Sequence, residues 1–172
     1  MKKIKMLIMD CDGVLTDGKI SYDNNETERK NFSAKDGLGI MILHQAGIIP
    51  AIITGRTSRA LQKRCNDLKI EHLHQGVKNK IKYASELLES LGIEWEETAY
   101  IGDDWNDFPV IEKCGFSACP ADAFGDFKEH CDFVTSRKGG DGAVREFIEE
   151  ILKSAGIYEE TKQKFIAYLK SH

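Results

Sequence analysis

The strongest constraint on the fold is that short apolar runs alternate along the chain with stretches of helical periodicity. The apolar runs are bounded by Gly, Asp or Pro, as buried strands are. The predicted strands are Lys5–Met9, Ile49–Ile53, Ala99–Ile101, Phe116–Ala118 and Phe133–Val134, with a further short strand at His72–His74.

The segments between these runs predict helices. Apolar residues recur at i, i+3, i+4 and i+7 from Ala84 to Leu91, just before Gly92, and again from Val144 to Leu152. Shorter helices are predicted at Gly37–Gln45, Ser58–Leu68, Asn106–Lys113 and Ala123–His130. Because alternating strands and helices form βαβ units, we expect an α/β fold with a doubly wound, Rossmann-like parallel sheet flanked by helices. At 172 residues and 41% hydrophobic content, the chain has material for one domain, residues 1–172.

Charge and hydropathy exclude several classes of partner. The 24 basic and 28 acidic residues give a net charge of −4 without a basic patch, so we expect no nucleic-acid partner. No apolar run approaches the ~18 residues that span a bilayer, and the start MKKIKMLIMD becomes acidic too early for a secretory signal. We therefore expect no membrane partner and a cytoplasmic location. The five cysteines lack CxxC spacing, which favours reduced thiols.

Polar residues follow directly after three of the predicted strands. In doubly wound sheets ligands bind beyond the carboxyl ends of the strands, so these residues should meet at one edge. They are Asp10, Asp12 and Gly13 after the first strand, Thr54, Gly55 and Arg56 after the second, and Asp103, Asp104 and Asp107 after TAYI. Lys80, at the start of a predicted helix, can reach the same edge.

This set of residues suits phosphate chemistry. Carboxylates with few imidazoles or thiolates favour Mg²⁺, and a divalent cation with a lysine lowers the repulsion between an anionic nucleophile and a phosphate. Residues two apart on extended chain point to the same side, so one of Asp10 and Asp12 can attack phosphorus while the other transfers the leaving-group proton. Cys11 would then point into the core.

Each motif also has a structural interpretation. Asp and Gly are common turn formers after strands, and the acidic turn GDDWND could cap a helix through Asn106. An EF-hand is excluded because Val14 occupies the fifth loop position, where a ligand belongs. The motifs occur together in order, each directly after a strand or at a helix start, and this favours a functional site over the structural interpretation.

The sequence resembles a known family of phosphohydrolases. DCDGVLTDG, TGR, Lys80 and GDDWND are similar, in order, to the four signature motifs of the haloacid dehalogenase superfamily. DGVLTDGKISY, KDGLGI, AIITGR, YIGDDWND and GGDGAVREF further resemble, over about residues 4–150, the bacterial phosphatases of 3-deoxy-manno-octulosonate 8-phosphate. The resemblance implies a Mg²⁺-dependent phosphatase that acts on a small phosphorylated sugar acid in lipopolysaccharide sugar biosynthesis.

The resemblance also implies a role for each motif residue. Asp10 would be the nucleophile that forms an aspartyl phosphate, and Asp12 the general acid that then activates water. Asp10, the backbone carbonyl of Asp12 and Asp103 would bind Mg²⁺, with Asp107 supporting them. Thr54, Gly55 and Lys80 would hold the phosphoryl oxygens. The residues that would contact the sugar acid are Ser33, Ala34, Lys35, Asp36, Gly37, Arg56 and Arg64.

The spacing of the motifs leaves no room for a cap domain. Only a β-hairpin at about residues 18–32 fits between Asp10 and Thr54, and only a helix and a short strand fit between Thr54 and Lys80. The resemblance implies homotetramers in which hairpins associate and a neighbour's tail covers the site. The tail here, about residues 157–172, has helical spacing from Tyr158 to Leu169 and could pack on its own subunit or on a neighbour.

Two alternatives remain open. The first is a phosphatase for a nine-carbon ulosonate phosphate, such as ketodeoxynononate or sialic acid 9-phosphate, since specificity in the family rests on few side chains. The second is a non-catalytic tetramerisation module. The complete set Asp10, Asp12, Lys80 and Asp103 argues against this second alternative, because a module freed from catalysis has no chemical need for it.

Overall fold

The computed structural model, which describes residues 3–171, contains a six-stranded parallel sheet. Its strands are β1 (Met6–Met9), β4 (Ile49–Ile53), β5 (His72–His74), β6 (Thr98–Ile101), β7 (Phe116–Cys119) and β8 (Phe133–Val134). Their order is β5-β4-β1-β6-β7-β8, so β1 is central and pairs in parallel with both β4 and β6. The chain order reverses between β1 and β6, which is where a doubly wound sheet opens a ligand crevice. The predicted fold class is confirmed.

Helices cover both faces of the sheet. They are α1 (Ala34–Gln45), α2 (Arg59–Asp67), α3 (Lys80–Leu91), α4 (Phe108–Ile111), α5 (Ala143–Ser154) and α6 (Tyr158–Ser171), with 3-10 turns at Trp95–Glu97 and Gly125–His130. Alternate residues of β1 face opposite layers: Leu7 and Met9 pack in the cluster that contains Phe147 of α5, and Met6 and Ile8 in the cluster that contains Leu88 of α3. Burial on both faces explains why the strand is a continuous apolar run.

Local capping sets several helix boundaries. The Ser33 hydroxyl accepts hydrogen bonds from the backbone N–H groups of Lys35 and Asp36, so α1 begins at Ala34, three residues before the predicted start at Gly37. Asn79 caps α3, and Gly92 ends it in the left-handed conformation at φ 63°.

Two predicted helices were wrong in length or type. The helix expected over Asn106–Lys113 is only the four-residue α4, and its N-cap position is Asp107 rather than Asn106. The helix expected over Ala123–His130 is a 3-10 segment that begins at Gly125, a residue with positive φ. Pro109 at the start of α4 and Gly125 weaken the helical pattern at these two places.

The predicted hairpin forms a separate two-stranded antiparallel sheet. Its strands are β2 (Ser21–Tyr22) and β3 (Glu28–Arg29), with Ser21 opposite Arg29. The Asp23 carboxylate accepts backbone hydrogen bonds from Asn25 and Thr27 and so closes the turn. The hairpin extends from the loop that follows β1.

The tail forms the amphipathic helix α6, which packs on α1 and α5 of its own chain. Phe165 is 4% exposed and joins the same core cluster as Phe147. Of the two placements that the sequence left open, the structure has the tail on its own subunit. None of the helices within residues 3–171 is both long and apolar enough to cross a membrane.

Candidate active site

Three carboxylates and one lysine meet where β1 and β6 end. The backbone N–H of Asp10 donates to the carbonyl of Ile101, which continues the β1–β6 ladder and sets Asp10 beside the loop that carries Asp103. Lys80, at the first turn of α3, places its Nζ 3.0 Å from Oδ2 of Asp10 and 2.6 Å from Oδ1 of Asp107. Asp10 and Lys80 are each 5% exposed, so their ion pair is buried, and its attraction is set against the cost of removing both charges from water.

Asp107 is fully engaged by its surroundings. Its Oδ1 accepts hydrogen bonds from Lys80 and from the hydroxyl of the buried Tyr100, and its Oδ2 accepts the backbone N–H of Asp103 at 3.1 Å. Asp107 therefore holds Lys80 and the Asp103 loop in place. Tyr100 was not among the residues predicted from the sequence; its signal was a tyrosine inside a buried strand, where the hydroxyl needs a partner.

Gly13 is required by the close approach of Asp103. Gly13 has φ +83°, and a Cβ at this position would collide with the Asp103 carboxylate. The loop after β8 also packs here, since the N–H of Gly140 donates to the carbonyl of Val14 at 2.9 Å. Cys11 is fully buried in the core, as predicted.

Burial and mutual repulsion raise the pKa values of Asp10 and Asp103. Burial, followed by the nearby charge of Asp107, raises the pKa of Asp10 from 3.8 to about 6. Burial and the charges of Asp10 and Asp107 raise the pKa of Asp103 to about 8. Burial opposes the charged form of Lys80, yet the same two carboxylates hold the pKa of Lys80 above its ordinary value. The cluster therefore has an excess of negative charge that one ammonium does not balance.

The residues present fit a divalent cation. One carboxylate oxygen from each of Asp10, Asp103 and Asp107 lies within 4.8 Å of the other two, although Asp107 is already engaged by its hydrogen bonds. The buried Oδ1 of Asp10 has no hydrogen-bond partner among residues 3–171, so one strong acceptor in the cluster is left for a ligand. Hard oxygen donors of this kind suit Mg²⁺.

Asp12 lies in a second charged group beside this cluster. Lys30, directly after β3, donates from Nζ to Oδ1 of Asp12 and lies 3.7 Å from Oε1 of Glu28. Arg56, in the loop after β4, donates to Glu28 at 2.7 Å and to the Tyr22 hydroxyl at 3.0 Å. Lys30 and Glu28 were not predicted as site residues, because nothing in TERKNF distinguishes them from a run of solvated charges.

The residues predicted to hold phosphate also lie at this edge. Thr54 and Gly55 follow β4, which is hydrogen-bonded to β1 with Ile52 opposite Met9. The backbone of Thr54 is fixed on both sides, since its N–H donates to His74 and its carbonyl accepts from Val77. The backbone of Thr54 is therefore held in place at the same sheet edge as Asp10.

The segment predicted to bind the sugar acid is mostly engaged in intramolecular contacts. The two carboxylate oxygens of Asp36 accept the backbone N–H groups of Gly142 and Arg145, so this side chain fixes the start of α5. Lys35 pairs with Asp141 at 3.2 Å on the surface. The remaining members lie around the start of α1: Ala34 is exposed there, Gly37 is buried against the Arg64 guanidinium, and Arg64 donates to the Ser33 carbonyl at 3.2 Å.

Comparisons with known sequences identify relatives over nearly the whole chain. A family model described as haloacid dehalogenase-like hydrolase matches residues 70–148. The chain is 45% identical over 165 residues to the 3-deoxy-D-manno-octulosonate 8-phosphate phosphatase KdsC of Escherichia coli (strain K12), covering 96% of this chain and 88% of that protein. It is 41% identical over 173 residues to KdsC of Haemophilus influenzae, covering 99% of this chain and 96% of that protein.

Solved structures have the same fold. The 3-deoxy-D-manno-octulosonate 8-phosphate phosphatase from Moraxella catarrhalis, in complex with a magnesium ion, a phosphate ion and a KDO molecule, matches with a TM-score of 0.90 at 41% identity, covering 94% of this chain and 93% of that one. The cobalt-bound phosphatase YrbI from Haemophilus influenzae matches with a TM-score of 0.89 at 42% identity, covering 95% of this chain and 97% of that one. With this identity along nearly its whole length, and with a cluster of three carboxylates at the switch point of its sheet, the chain belongs to the 3-deoxy-D-manno-octulosonate 8-phosphate phosphatase family of haloacid dehalogenase-like hydrolases.

Proposed function

We propose that this chain is a Mg²⁺-dependent phosphatase that hydrolyses 3-deoxy-D-manno-octulosonate 8-phosphate to the free sugar acid and phosphate, in lipopolysaccharide sugar biosynthesis. The observation that carries the proposal is the buried Oδ1 of Asp10, which accepts no hydrogen bond from the part of the chain that the structure describes and lies in a carboxylate cluster beside Lys80. A carboxylate with one free oxygen and an adjacent ammonium is suited to attack a phosphate dianion. Relatives that are 41–45% identical carry the name of this phosphatase.

The reaction proceeds in two displacements at phosphorus. An Asp10 oxygen forms a bond to phosphorus while the bond from phosphorus to the sugar oxygen breaks, and Asp12 gives its proton to that oxygen. Asp12, now a carboxylate, removes a proton from water as the water attacks the aspartyl phosphate. Phosphate leaves, Asp10 is restored, and Asp12 is protonated for the next turnover.

The surrounding residues bind and neutralise the reacting groups. We propose that Asp10, Asp103 and the backbone carbonyl of Asp12 hold Mg²⁺, with Asp107 as the supporting residue. When bound, Mg²⁺ supplies positive charge that neutralises the phosphoryl oxygens and the attacking carboxylate.

We propose that Thr54, Gly55 and Lys80 hold the phosphoryl oxygens. Lys80 is already fixed between two carboxylates, so little reorganisation accompanies the reaction.

We propose that the sugar acid lies against the start of α1, with Arg64 as the main cation for its carboxylate. Arg64 donates to a backbone carbonyl and has no ion pair among the residues that the structure describes, whereas Arg56 is already paired with Glu28. Lys35 is exposed and can exchange Asp141 for the substrate. The contributions of Ser33, Ala34, Asp36 and Gly37 are to shape this surface and to hold α1 against α5.

We further propose a cytoplasmic homotetramer of single hydrolase domains, residues 1–172, in which the hairpins associate. Ile20 and Tyr22, next to and within β2, are 52% and 59% exposed, and apolar side chains at the edge of a two-stranded sheet favour association. Sedimentation equilibrium should give a mass near four times 19.4 kDa. A monomer at micromolar concentration would contradict this part of the proposal.

The experiment that tests the function is phosphate release from a panel of sugar phosphates. The panel holds eight-carbon and nine-carbon ulosonate phosphates beside hexose phosphates, each with Mg²⁺ or with EDTA. Wild type is compared with Asp10→Asn, and with Asp67→Asn as a control that removes an exposed carboxylate of α2.

We expect strong Mg²⁺-dependent release from the eight-carbon acid, no release by Asp10→Asn, and wild-type activity for Asp67→Asn. A preference for the nine-carbon acid would keep the mechanism and change the substrate. If no phosphate is released from any compound, the proposal that the chain is a phosphatase is contradicted, and a non-catalytic tetramerisation module is favoured.

A further inference from the structure

The hairpin carries a buried lysine into the candidate active site. Lys30 directly follows β3, in a segment whose neighbours Arg29 and Asn31 are exposed, yet its side chain is only 3% exposed. Burying an ammonium is costly unless it is paired, so the position of Lys30 is set by its partners.

The partners form a ring of alternating charge. Lys30 contacts Oδ1 of Asp12 and lies 3.7 Å from Glu28, and Glu28 accepts from Nη2 and Nε of Arg56 at 2.7 and 3.3 Å. The ring closes because Nε of Arg56 lies 3.9 Å from Oδ2 of Asp12. Three separate segments, the loops after β1 and β4 and the end of the hairpin, are joined by these four side chains.

The two carboxylate oxygens of Asp12 differ in their hydrogen bonds within this ring. Oδ1 accepts from Lys30 and, at 3.5 Å, from the Thr16 hydroxyl. Oδ2 is buried and makes no hydrogen bond with any residue of the described chain. One oxygen is thus anchored, whereas the other keeps its hydrogen-bonding capacity unused among the described residues.

We propose that Lys30 is a positioning residue, which anchors Oδ1 of Asp12 so that Oδ2 is the oxygen that exchanges protons with the sugar oxygen and with water. The inference rests on the proposed function, in which Asp12 transfers the proton. The χ2 torsion of an aspartate has a broad distribution, so without this contact the Asp12 carboxylate would sample orientations in which neither oxygen faces the sugar oxygen. Displacement of a reacting group by ~1 Å can cost ~10²-fold in rate.

Two other roles for Lys30 make different kinetic predictions. If Lys30 only holds the hairpin in place, its loss should lower activity by the same factor whether or not Asp12 is present. If Lys30 binds the sugar acid directly, its loss should raise KM rather than lower kcat. A residue that acts through Asp12 should lower kcat only while Asp12 is present.

The test is a double-mutant cycle of Lys30→Met and Asp12→Asn. Phosphate release is measured with Mg²⁺ on the eight-carbon ulosonate phosphate and on p-nitrophenyl phosphate, whose good leaving group keeps the Asp12→Asn rate measurable. Lys19→Met is the matched control, because Lys19 is an exposed lysine of the same hairpin, just before β2. Circular dichroism checks that each variant is folded, and if Lys30→Met is not, the cycle is run with Lys30→Gln, which keeps a polar side chain at this position but removes the charge.

We expect Lys30→Met to lower kcat by ~10- to 100-fold with KM nearly unchanged, and to have less than a twofold effect in the Asp12→Asn background. Lys19→Met should match wild type. Equal factors in both backgrounds, or a change confined to KM, would overturn the role of Lys30 and leave the proposed function intact. A wild-type protein that releases no phosphate from either compound would instead overturn the proposed function.

Discussion

Replacing the proposed nucleophile should stabilise the metal-free protein while abolishing its activity. Asp10 is buried next to Asp107 and within the cluster that contains Asp103, so its charge is unfavourable in the folded state despite the contact with Lys80. Asn has nearly the shape of a protonated carboxyl group and carries no charge. Asp10→Asn therefore removes a cost that the folded wild type bears at neutral pH.

The magnitude follows from the change in the pKa of Asp10. A rise from 3.8 to about 6 on folding, at ~1.36 kcal/mol per pH unit, corresponds to about 3 kcal/mol. The sign follows from the raised pKa of Asp10. The folded protein loses stability as pH rises from about 4 to about 6, and above that range the charged Asp10 destabilises it by the full amount. At ~2–4 °C per kcal/mol for a domain of this size, Asp10→Asn should raise Tm by ~6–12 °C at pH 7.5.

The assay is thermal unfolding in EDTA at pH 7.5 and at pH 4, followed by circular dichroism. We expect a large difference in Tm between wild type and Asp10→Asn at pH 7.5 and almost none at pH 4. Asp67→Asn, which removes an exposed carboxylate, should change the free energy of unfolding by less than ~1 kcal/mol. Equal or lower stability of Asp10→Asn at pH 7.5 would refute the argument that repulsion and burial dominate at this site.

Two further predictions concern the elements that support the site. Asp36→Ala should lower the free energy of unfolding by ~2–4 kcal/mol, because the N–H groups of Gly142 and Arg145 lose their acceptor at the start of α5; chemical denaturation checks this, and an unchanged midpoint would contradict it. Phe165→Ala should cost ~3–5 kcal/mol by leaving a cavity under α6, whereas Ile166→Ala, at a 36% exposed position, should cost far less. Similar denaturation midpoints for these two variants would show that α6 does not pack on its own chain in solution.

Much of the fold was predictable because it depends on local patterns. The strand β1 is a continuous apolar run, and α3 has apolar residues at helical spacing between Asn79 and Gly92, so each element is specified by its own residues. The elements α4 and Gly125–His130 were mispredicted because short segments near Pro and Gly have weak intrinsic preference and take their conformation from packing.

The placement of Asp10, Thr54, Lys80 and Asp103 at one edge was also within reach of the sequence. In a parallel sheet every strand end lies at the same edge, so residue order along the chain specifies proximity in space. The topology of the sheet alone therefore predicts which residues lie at this edge. This prediction required no knowledge of side-chain contacts.

The sequence by itself thus determined the α/β class, the strand-end motifs and the chemistry that they suit. Only the tertiary structure decided that Lys30 pairs with Asp12 across 18 positions, that Arg56 pairs with Glu28 across 28, and where the tail packs. The physical reason is that a charged side chain has no strong local preference: its partner depends on which segments burial brings together. Periodicity describes one element at a time, whereas an ion pair in the site depends on several elements at once.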